Sequence, residues 1–575
     1  MAYAAVVSLM QILENILHTH LGDRQIPWEK QQIESLLESM DCFHDFLERS
    51  WRKRSRPARC LERKIRHVAY KAEDVIESYM SKHFFTKTGG EKRTRSEIII
   101  QHLKIVVEEI VSIKLKVTRL VDLWEGAKDL NFTQCLPLAS CGDYTMVGFE
   151  DDSLQLLERI VGQQSEKLRI IPVVGMGGIG KTTLVKNVYK KSIEYSFDVA
   201  AWVTVSQNYR ERNILLGLLE SMRMLTDDMY QKSDGELSDC LYKCLKGKKY
   251  LIVMDDLWHK QAWGNIKRLL PDDSKGSRVL LTTRQSDVAA YANSFEPDHH
   301  HMRLLNEDES WEMFCSKVFR DGCCLPELEE VGKKIVRSCN GLPLSIVVIS
   351  GLLSNVLRTR SEWENIAKNL NSVIISRGRQ CTELLSLSYD HLPHHLRACF
   401  LYAGVYPQDF EIQTSKLIKL WIAEGFIKPN SSKSLEEVGE DYLEDLMSRN
   451  LVLVGEKRYN GKIKSCIIHD LLREWCLSKA LDEKFIHTLN ANIYYCQEIA
   501  KDRRRLFIRK DSIDEARADI LRTIGPFSLV RSLVSQSKPH DELWSCCKLL
   551  KVLDLPNVDL EFFPDSRICL IMVML

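Results

Sequence analysis

Apolar residues recur three and four positions apart in four stretches within the first 125 residues. Val6, Leu9 and Leu13 begin the first of these stripes, and three similar stripes follow. This period places the apolar side chains on one face of each helix, where the faces can be buried against one another. The pattern predicts a four-helix bundle over residues 1–130, a polar loop at residues 86–95 and a linker at residues 131–148.

From Leu168 onward the pattern changes to short apolar runs that alternate with longer amphipathic stretches. The runs are almost continuously apolar or β-branched, as expected for strands that are buried on both faces. Amphipathic segments between them favour helical crossovers and a parallel sheet. The predicted strands are Leu168–Val174, Val199–Val205, Tyr250–Met254, Arg278–Thr282 and His301–Leu305.

The remainder of the chain returns to helical spacing before it becomes rich in leucine. Helical patterns dominate residues 309–395, and residues 396–520 are mixed but mainly helical. From Leu529 the spacing resembles a leucine-rich repeat, and one or two repeats fit before Leu575. Because stacked repeats need about three units for stability, we expect a shortened repeat region.

Composition narrows the class of protein further. The 575 residues are enough for three or four domains, and 45% of them are hydrophobic. The net charge of +1 gives no general argument for a nucleic-acid partner, and none is expected. The 18 cysteines include no CxxC pair, and residues 1–21 lack a signal-peptide pattern. We therefore expect a cytoplasmic protein with reduced cysteines.

The clearest chemical motif is a glycine-rich segment between a predicted strand and a predicted helix, which matches GxxxxGK[ST]. Glycines let backbone N–H groups surround phosphates, and the following helix N-terminus adds a favourable dipole. We expect Lys181 to contact the β- and γ-phosphates and the Thr182 hydroxyl to bind Mg²⁺. The alternative is a glycine-rich turn without a ligand. The predicted nucleotide-binding residues here are Gly175, Gly177, Gly178, Gly180, Lys181, Thr182 and Thr183.

Two acidic residues end the third predicted strand. Asp255 and Asp256 follow Tyr250–Met254 directly. In open α/β sheets, ligands bind beyond the carboxyl ends of the strands, and a carboxylate there can hold Mg²⁺ directly or through water. Asp255 is the metal candidate beside Thr182, and Asp256 is the catalytic candidate that polarises an attacking water. Taken alone, a strand that ends in two aspartates is also compatible with a plain turn.

An arginine ends the fourth predicted strand at the same sheet edge. Arg284 follows Thr282 and Thr283, and an arginine in this place can bind a γ-phosphate through charge-assisted hydrogen bonds. A surface ion pair is the alternative interpretation.

Three further groups of residues carry weaker signals. Asp298, His299, His300 and His301 look like a group of metal ligands, but they favour a solvated polar loop before a strand, since no cysteine or further acidic ligand accompanies them. His394 and His395 follow Pro393 and are typical of a turn and helix start. The basic run 501–505 is typical of a solvated face, because the interleaved aromatics of a nucleic-acid site are absent.

The order of these motifs resembles that of plant intracellular immune receptors of the coiled-coil, nucleotide-binding, leucine-rich-repeat class. Their shared nucleotide module is called NB-ARC, and the resemblance covers residues 1 to about 560. The departures are Glu77 at the last position of an EDVID-like patch, Ile468 where methionine is usual, and the short repeat region. The matching segments are Glu73–Glu77, Val147–Gly148, Phe197–Tyr209, Asp255–Trp258, Gly341–Leu344, Leu387–Pro393, Cys399–Tyr402 and Ile468–Asp470.

The resemblance implies a multidomain α and α/β architecture. The expected domains are an Rx-type coiled-coil helical bundle (1–130), a linker (131–148), a P-loop parallel α/β nucleotide-binding domain (149–308), a helical ARC1 subdomain (309–395), a winged-helix ARC2 subdomain (396–500), and a linker with a truncated leucine-rich-repeat start (501–575).

The resemblance also implies roles for residues outside the glycine-rich loop. Val147 would lie against adenine, and Pro343 would pack near the base. His469 would contact the β-phosphate of ADP and lock the winged-helix subdomain against the P-loop domain. Arg284 would contact the γ-phosphate of ATP. The implied cofactors are ATP or ADP and Mg²⁺.

The implied function is an ADP/ATP switch of plant innate immunity that self-associates through its N-terminal helices on activation and triggers hypersensitive cell death. At most a slow ATPase is expected, because no obvious glutamate base follows Asp255. The implied partners are a guarded host protein or a pathogen effector, with peripheral contact at the plasma membrane. The alternatives are a non-sensing nucleotide-binding remnant or helper, an AAA-like mechanoenzyme, and a DNA-binding regulator.

Overall fold

The structure, a computed structural model, forms two compact units. One contains residues 1–137 and 385–575, and the other contains residues 138–384. The described residues are 1–19, 30–53, 56–85, 92–125, 147–162, 166–193, 197–205, 209–293, 299–319, 324–373, 380–408, 410–430, 432–489, 504–508, 530–535 and 549–554.

The N-terminal part of the first unit is the predicted four-helix bundle. Its core contains the predicted apolar stripes, with Val6, Leu9 and Leu13 at most 1% exposed. The fourth helix begins earlier than expected, because the segment from Lys92 to Arg95 contains good helix formers and extends the helix ahead of its first apolar position. The helices are α1 (Ala2–Thr19), α2 (Lys30–Lys53), α3 (Arg56–Phe85) and α4 (Lys92–Glu125).

The second unit is built on a five-stranded sheet in which every pair of neighbouring strands is parallel, as predicted. The strand order is β2-β3-β4-β1-β5. The residues of β3 and β4 are all buried, which explains the uninterrupted apolar runs at the centre of both strands. The strands are β1 (Arg169–Val174), β2 (Val199–Thr204), β3 (Tyr250–Asp255), β4 (Arg278–Thr283) and β5 (His300–His301).

The last strand of this sheet is displaced from the predicted range His301–Leu305. Met302 still donates its N–H to Val174 O, but the Leu305 N–H bonds to Gly341 O and the chain leaves the sheet. The expectation of a solvated loop at His300 is wrong, because His300 is 8% exposed and its Nε2 lies 2.9 Å from an Asp152 carboxylate oxygen.

Helices surround the sheet and continue beyond it as a helical region that starts with a capping box at Asn306 and Glu309. Its core contains Phe314 and Trp363, both fully buried. The helices are α5 (Glu150–Val161), α6 (Lys181–Ile193), α7 (Glu211–Ser221), α8 (Asp234–Leu245), α9 (Lys260–Lys267), α10 (Ser286–Ala292), α11 (Glu307–Val318), α12 (Pro326–Arg337), α13 (Pro343–Ser354), α14 (Arg360–Val373) and α15 (Gln380–Asp390), with a short 3₁₀ helix at Asp227–Gln231.

The C-terminal part of the first unit contains a winged-helix arrangement with a small antiparallel sheet of order β6-β8-β7. The first helix starts at His394, after Pro393, as the sequence predicts. The elements are α16 (His394–Ala403), β6 (Ile412–Gln413), α17 (Thr414–Ala423), α18 (Leu435–Ser448), β7 (Leu453–Val454), β8 (Ser465–Ile467) and α19 (Asp470–Asp482).

A second parallel sheet follows, with order β12-β11-β10-β9. Its first two strands lie upstream of Leu529, where the leucine spacing becomes visible in the sequence. The predicted segment after Asp554 lies outside the described residues. The strands are β9 (His487–Leu489), β10 (Arg505–Ile508), β11 (Ser532–Ser535) and β12 (Val552–Asp554).

Candidate nucleotide-binding site

The glycine-rich loop connects the carboxyl end of β1 to the first residue of α6. Gly178 and Gly180 have φ values of +77° and +102°, which L side chains rarely adopt. Lys181 is 7% exposed, and its Nζ donates to Gly175 O at 2.8 Å and Met176 O at 3.1 Å. The lysine side chain therefore lies over its own loop, with its amino group at the place where phosphates are expected.

The metal candidates Thr182 and Asp255 are hydrogen bonded to each other. Thr182 Oγ1 donates to Asp255 Oδ1 at 3.1 Å, and the Thr282 hydroxyl donates to the same oxygen. Asp255 is 2% exposed, and burial raises its pKa, although these hydrogen bonds favour the charged form. A divalent cation would stabilise this buried carboxylate, and the oxygen donors are those that Mg²⁺ prefers. The residues present therefore fit the predicted metal.

Arg284 and Asp256 form an ion pair at the same edge of the sheet. Arg284 Nε lies 3.3 Å from Asp256 Oδ1, and the guanidinium carbon lies 4.7 Å from the centre of the Trp258 ring. Trp258 Nε1 also donates to Asp256 Oδ2 at 3.1 Å. The predicted surface ion pair is thus present, but it is largely buried and lies beside Asp255. The catalytic role of Asp256 and the γ-phosphate contact of Arg284 stay predictions.

The segment around Pro343 is joined to the glycine-rich loop within the same unit. Pro343 is the first residue of α13, where its missing N–H and fixed φ are well tolerated. The next N–H, that of Leu344, donates to Gly178 O at 3.1 Å. The fold therefore brings Pro343 to the loop, across more than 160 residues of sequence.

The segment that begins with Val147 also reaches this region. Gly148 O accepts a hydrogen bond from Arg303 at 2.9 Å, and Arg303 is held by Glu309. The Phe149 ring lies beside Gly180, 3.7 Å from the point where a side-chain carbon would begin. The contacts of Gly148 and Phe149 thus place Val147 near the site, and its contact with adenine stays a prediction.

His469 belongs to the other compact unit. It is the N-cap residue of α19, and its Nδ1 accepts a hydrogen bond from the Leu471 N–H at 3.2 Å. The adjacent Asp470 accepts from Gln408 Nε2 at 2.8 Å. These contacts fix the start of α19, while the contact of His469 with a β-phosphate stays a prediction.

The EDVID-like patch on α3 has cationic partners that the sequence analysis missed. Arg504 pairs with Glu73 and Asp74. Arg531 lies 2.7 Å from Asp74 and 2.6 Å from Glu77, and Lys551 contacts Glu73 and Glu77. We call these six residues the charge cluster: Glu73, Asp74, Glu77, Arg504, Arg531 and Lys551.

The prediction of a solvated basic run at 501–505 is therefore wrong for the two residues that the structure describes. Arg504 and Arg505 are each 8% exposed, because Arg504 enters the charge cluster and Arg505 pairs with buried Glu424. Arg505 also lies over the rings of Phe426 and Phe485. A sequence signal did exist: Arg504, Arg531 and Lys551 each stand one or two positions before a short apolar run.

Electrostatics within the charge cluster differ from one carboxyl group to another. Burial would raise the pKa of Glu73, but Lys551, Arg504 and Arg531 outweigh burial and lower it below the ordinary value. Burial raises the pKa of Asp74 and of Glu77, and the Glu73 charge adds to both effects. Glu73 is therefore the carboxyl group of the cluster whose charged form the neighbouring cations favour over burial.

The glycine-rich loop, the buried Asp255 and the parallel sheet together define a P-loop nucleotide-binding fold. Family comparison agrees: residues 149–324 match the NB-ARC domain, residues 405–476 the disease resistance protein winged helix domain, and residues 5–102 the Rx N-terminal domain. The chain belongs to the plant disease-resistance proteins that combine an Rx-type coiled-coil domain with NB-ARC and winged-helix domains.

Individual relatives extend this comparison over most of the chain. The chain is 33% identical to the late blight resistance protein R1-A of Solanum demissum over 528 residues, which are 87% of this chain and 39% of that protein. It is 31% identical to the disease resistance protein RPP13 of Arabidopsis thaliana over 563 residues, 93% of this chain and 66% of that protein. The chain thus spans well under half the length of R1-A.

Similarity to solved structures is more distant. The Cdc6p protein from Pyrobaculum aerophilum aligns with 60% of this chain and 97% of its own, at 14% identity and a TM-score of 0.33. Such a likeness carries no functional argument. Among the described helices, none is both long and apolar enough to cross a membrane.

Proposed function

We propose that the protein is an ADP/ATP-binding molecular switch of plant innate immunity. The observation that carries this proposal is the convergence of Lys181, Thr182 and Asp255 at one loop, to which the start of α13 is hydrogen bonded. Loop, metal candidates and helix start belong to one compact unit, so the binding site does not need a second molecule.

Each residue of the site has a distinct role in this proposal. The loop amides and Lys181 bind the phosphates, and Thr182 and Asp255 hold Mg²⁺ through their oxygens. Val147 and Pro343 contact the base. ADP and ATP differ by one phosphate, which supplies the input of the switch. Arg284 detects that phosphate when it leaves Asp256 for a stronger, doubly charged partner.

The response of the switch requires the unit that contains His469. In the resting state His469 binds the β-phosphate of ADP. Loss of that contact permits the ATP-bound, oligomerising state. The N-terminal helices then self-associate and trigger defence and hypersensitive cell death. The partners proposed upstream are a guarded host protein or a pathogen effector, and the proposed location is cytoplasmic with peripheral contact at the plasma membrane.

Identification of the bound nucleotide tests this function. The purified chain is denatured, and the released nucleotide is identified by chromatography; we expect ADP at close to one per chain. Lys181→Ala removes the charge over the loop, and loss of charge-assisted contacts worth about 1.5–3 kcal/mol each should weaken binding by about a hundredfold. The matched control is Lys190→Ala, which removes an exposed lysine from the same helix. Normal ADP retention by Lys181→Ala refutes the site.

Hydrolysis distinguishes a switch from a mechanoenzyme. Asp256 is committed to Arg284 and Trp258, so the candidate base is not free to activate water efficiently. We expect turnover far below the median enzyme rate of about 10 s⁻¹, measured as phosphate release with ATP and Mg²⁺. Turnover at that median rate contradicts the switch and favours an AAA-like motor.

A further inference from the structure

Two adjoining cavities lie in the first unit, between α3 and the winged-helix region. Their volumes are about 410 and 430 Å³, and both are lined by Arg63, Arg66 and Glu483. Helix α3 lines both cavities. The first is also lined by α15, α16 and α19, and the second by the segment after α19 and by Arg504 and Arg505. Volumes of this size are within the range of small-molecule sites.

The lining of these cavities is predominantly cationic. Four of its cations are already in ion pairs, with Lys71 on Glu109, Lys479 on Glu483, Arg504 on Asp74 and Arg505 on Glu424. Within the part of the chain that the structure describes, five further lining cations have no carboxylate within ion-pair distance. They are Arg59, Arg63, Arg66, Arg397 and Lys484, and we call the two cavities with these residues the basic groove.

The carboxylates of the lining do not cancel this charge. Glu62 is occupied by Ser50 and His394, and Asp74 and Glu483 belong to the ion pairs above. Asp390 and Asp482 are exposed, where water screens them. Burial lowers the pKa of His394 to about 4, so His394 is neutral and Glu62 keeps its charge. Five unpaired cations against Glu62, Asp390 and Asp482 leave the basic groove with an excess of about two positive charges.

The arginines of the basic groove are positioned without being neutralised. Arg59, Arg63 and Arg66 are spaced four and three residues apart, so they share one face of α3 and repel one another. Arg397, from α16, donates to Leu392 O at 3.0 Å and Asp390 O at 2.9 Å, and Arg66 donates to Glu483 O at 3.3 Å. Backbone carbonyls orient a guanidinium but leave its charge intact.

We propose that the basic groove binds a small polyphosphorylated anion, with Arg59, Arg63, Arg66 and Arg397 contacting its phosphates. Guanidinium groups match phosphate oxygens with paired hydrogen bonds and are weakly hydrated, so four of them in one groove form a strong phosphate site. A bound anion removes the repulsion along α3.

The groove favours a ligand without a nucleobase. The aromatic rings in its lining are already covered: Tyr389 is buried against Phe400 and Trp475, and the Arg504 guanidinium lies 4.1 Å from the centre of the Tyr70 ring. The Tyr389 ring and the covered face of Tyr70 are therefore not available for stacking on a base. An anion in this groove also touches α3 of the bundle and α16 of the winged-helix region together, so it stabilises their docking.

Calorimetry on the full chain tests the proposal, with free inositol hexakisphosphate as the probe. Saturating ADP is kept present, and Lys181→Ala is titrated in parallel, so that the P-loop cannot account for the heat. We expect one site per chain at physiological salt and a rise in the thermal midpoint on binding. The double variant Arg59→Gln/Arg63→Gln removes two exposed cations and should weaken binding at least about tenfold. The matched control, Lys116→Gln/Arg119→Gln, removes two exposed cations from α4 and should change binding less than twofold.

A second arm identifies the source of the phosphates. The protein is floated with vesicles that contain phosphatidylinositol 4,5-bisphosphate and, for comparison, with phosphatidylserine vesicles of equal charge. Flotation that is specific for the first vesicles and is lost in Arg59→Gln/Arg63→Gln identifies a lipid headgroup as the ligand. Free-probe binding without flotation reports a soluble anion. Absence of saturable binding in both arms overturns the proposal. So does equal weakening by the α4 control, or equal binding of a single-stranded oligonucleotide, since either indicates unspecific attraction.

Discussion

The P-loop site and the charge cluster are both buried polar centres, but they are assembled in different ways. The P-loop site takes most of its residues from one nine-residue segment, and its partner Asp255 lies 73 residues from Thr182. The charge cluster joins α3 to cations that lie 430 to 478 residues away, each next to the start of a strand. The function of a motif whose residues are close in sequence can be predicted from the sequence. A centre whose residues are hundreds of positions apart cannot, because the sequence does not show which segments meet.

Glu73→Ala is expected to give the largest effect, a loss of folding stability that leaves the P-loop site unaffected. It leaves buried Arg504 and half-buried Lys551 with fewer carboxylates, and removal of one partner from a buried ion pair costs about 3–5 kcal/mol. Urea denaturation should show this loss, while ADP retention by the folded protein stays normal. Glu108→Ala, which removes an exposed glutamate from α4, should stay within about 0.5 kcal/mol of the original chain. Equal stability of the two variants means that the cluster does not hold α3 to the strands.

Asp255→Asn should have the next largest effect, and it acts on the P-loop site. The amide keeps the shape of the side chain but removes the charge that Mg²⁺ requires. We expect binding of ATP with Mg²⁺ to weaken about tenfold to a hundredfold, and stability without nucleotide to change little because burial already disfavours the charged form. Isothermal titration with and without Mg²⁺ measures the binding, and urea denaturation of the nucleotide-free protein measures the stability. Unchanged dependence on Mg²⁺ removes Asp255 from the site.

Arg284→Ala is expected to act more weakly and on one nucleotide only. Loss of the guanidinium should lower ATP affinity about tenfold and leave ADP affinity within about threefold, since a γ-phosphate contact is worth about 1.5–3 kcal/mol. Arg284→Lys keeps the charge but not the paired donors, and should be intermediate. Equal losses for the two nucleotides show that Arg284 supports the loop rather than detecting the third phosphate.

The smallest expected effect is a pH dependence of the unfolding free energy, which arises from the charge cluster and not from the P-loop site. The pKa of Glu73 is lowered in the folded chain, so its contribution is present above the ordinary glutamate pKa of about 4.3 and is lost as pH falls through the lower folded value. The difference in unfolding free energy between the original chain and Glu73→Gln should be constant from pH 7 to about 5 and shrink below that. A difference that grows on acidification contradicts the ion pairs.

The sequence predicted the second unit well because its signals are local. Every run from Leu168 to Thr282 became a strand of the parallel sheet, and the P-loop residues lie where the motif places them. The fifth strand was misplaced because tertiary contacts decide its end: the Leu305 N–H bonds to Gly341 O, a contact that periodicity does not encode.

The cationic half of the charge cluster was missed for a related reason. Arg504 lies in a run of basic residues, and such a run is normally solvated. Its partners on α3 were visible as an acidic patch, but no local pattern connects two segments so far apart. The recurrence of a basic residue before three apolar runs was the available signal, and it has meaning only once the runs are known to be neighbouring parallel strands.

The position of Arg504, Arg531 and Lys551 has one further consequence. They precede three neighbouring parallel strands at the same register, so they form a column with a spacing of about 4.8 Å. Glu73 and Glu77 are about 6 Å apart along α3. The carboxylates of α3 can pair with all three cations only while the strands keep their spacing. A bend in the sheet would therefore lengthen several of these ion pairs at once.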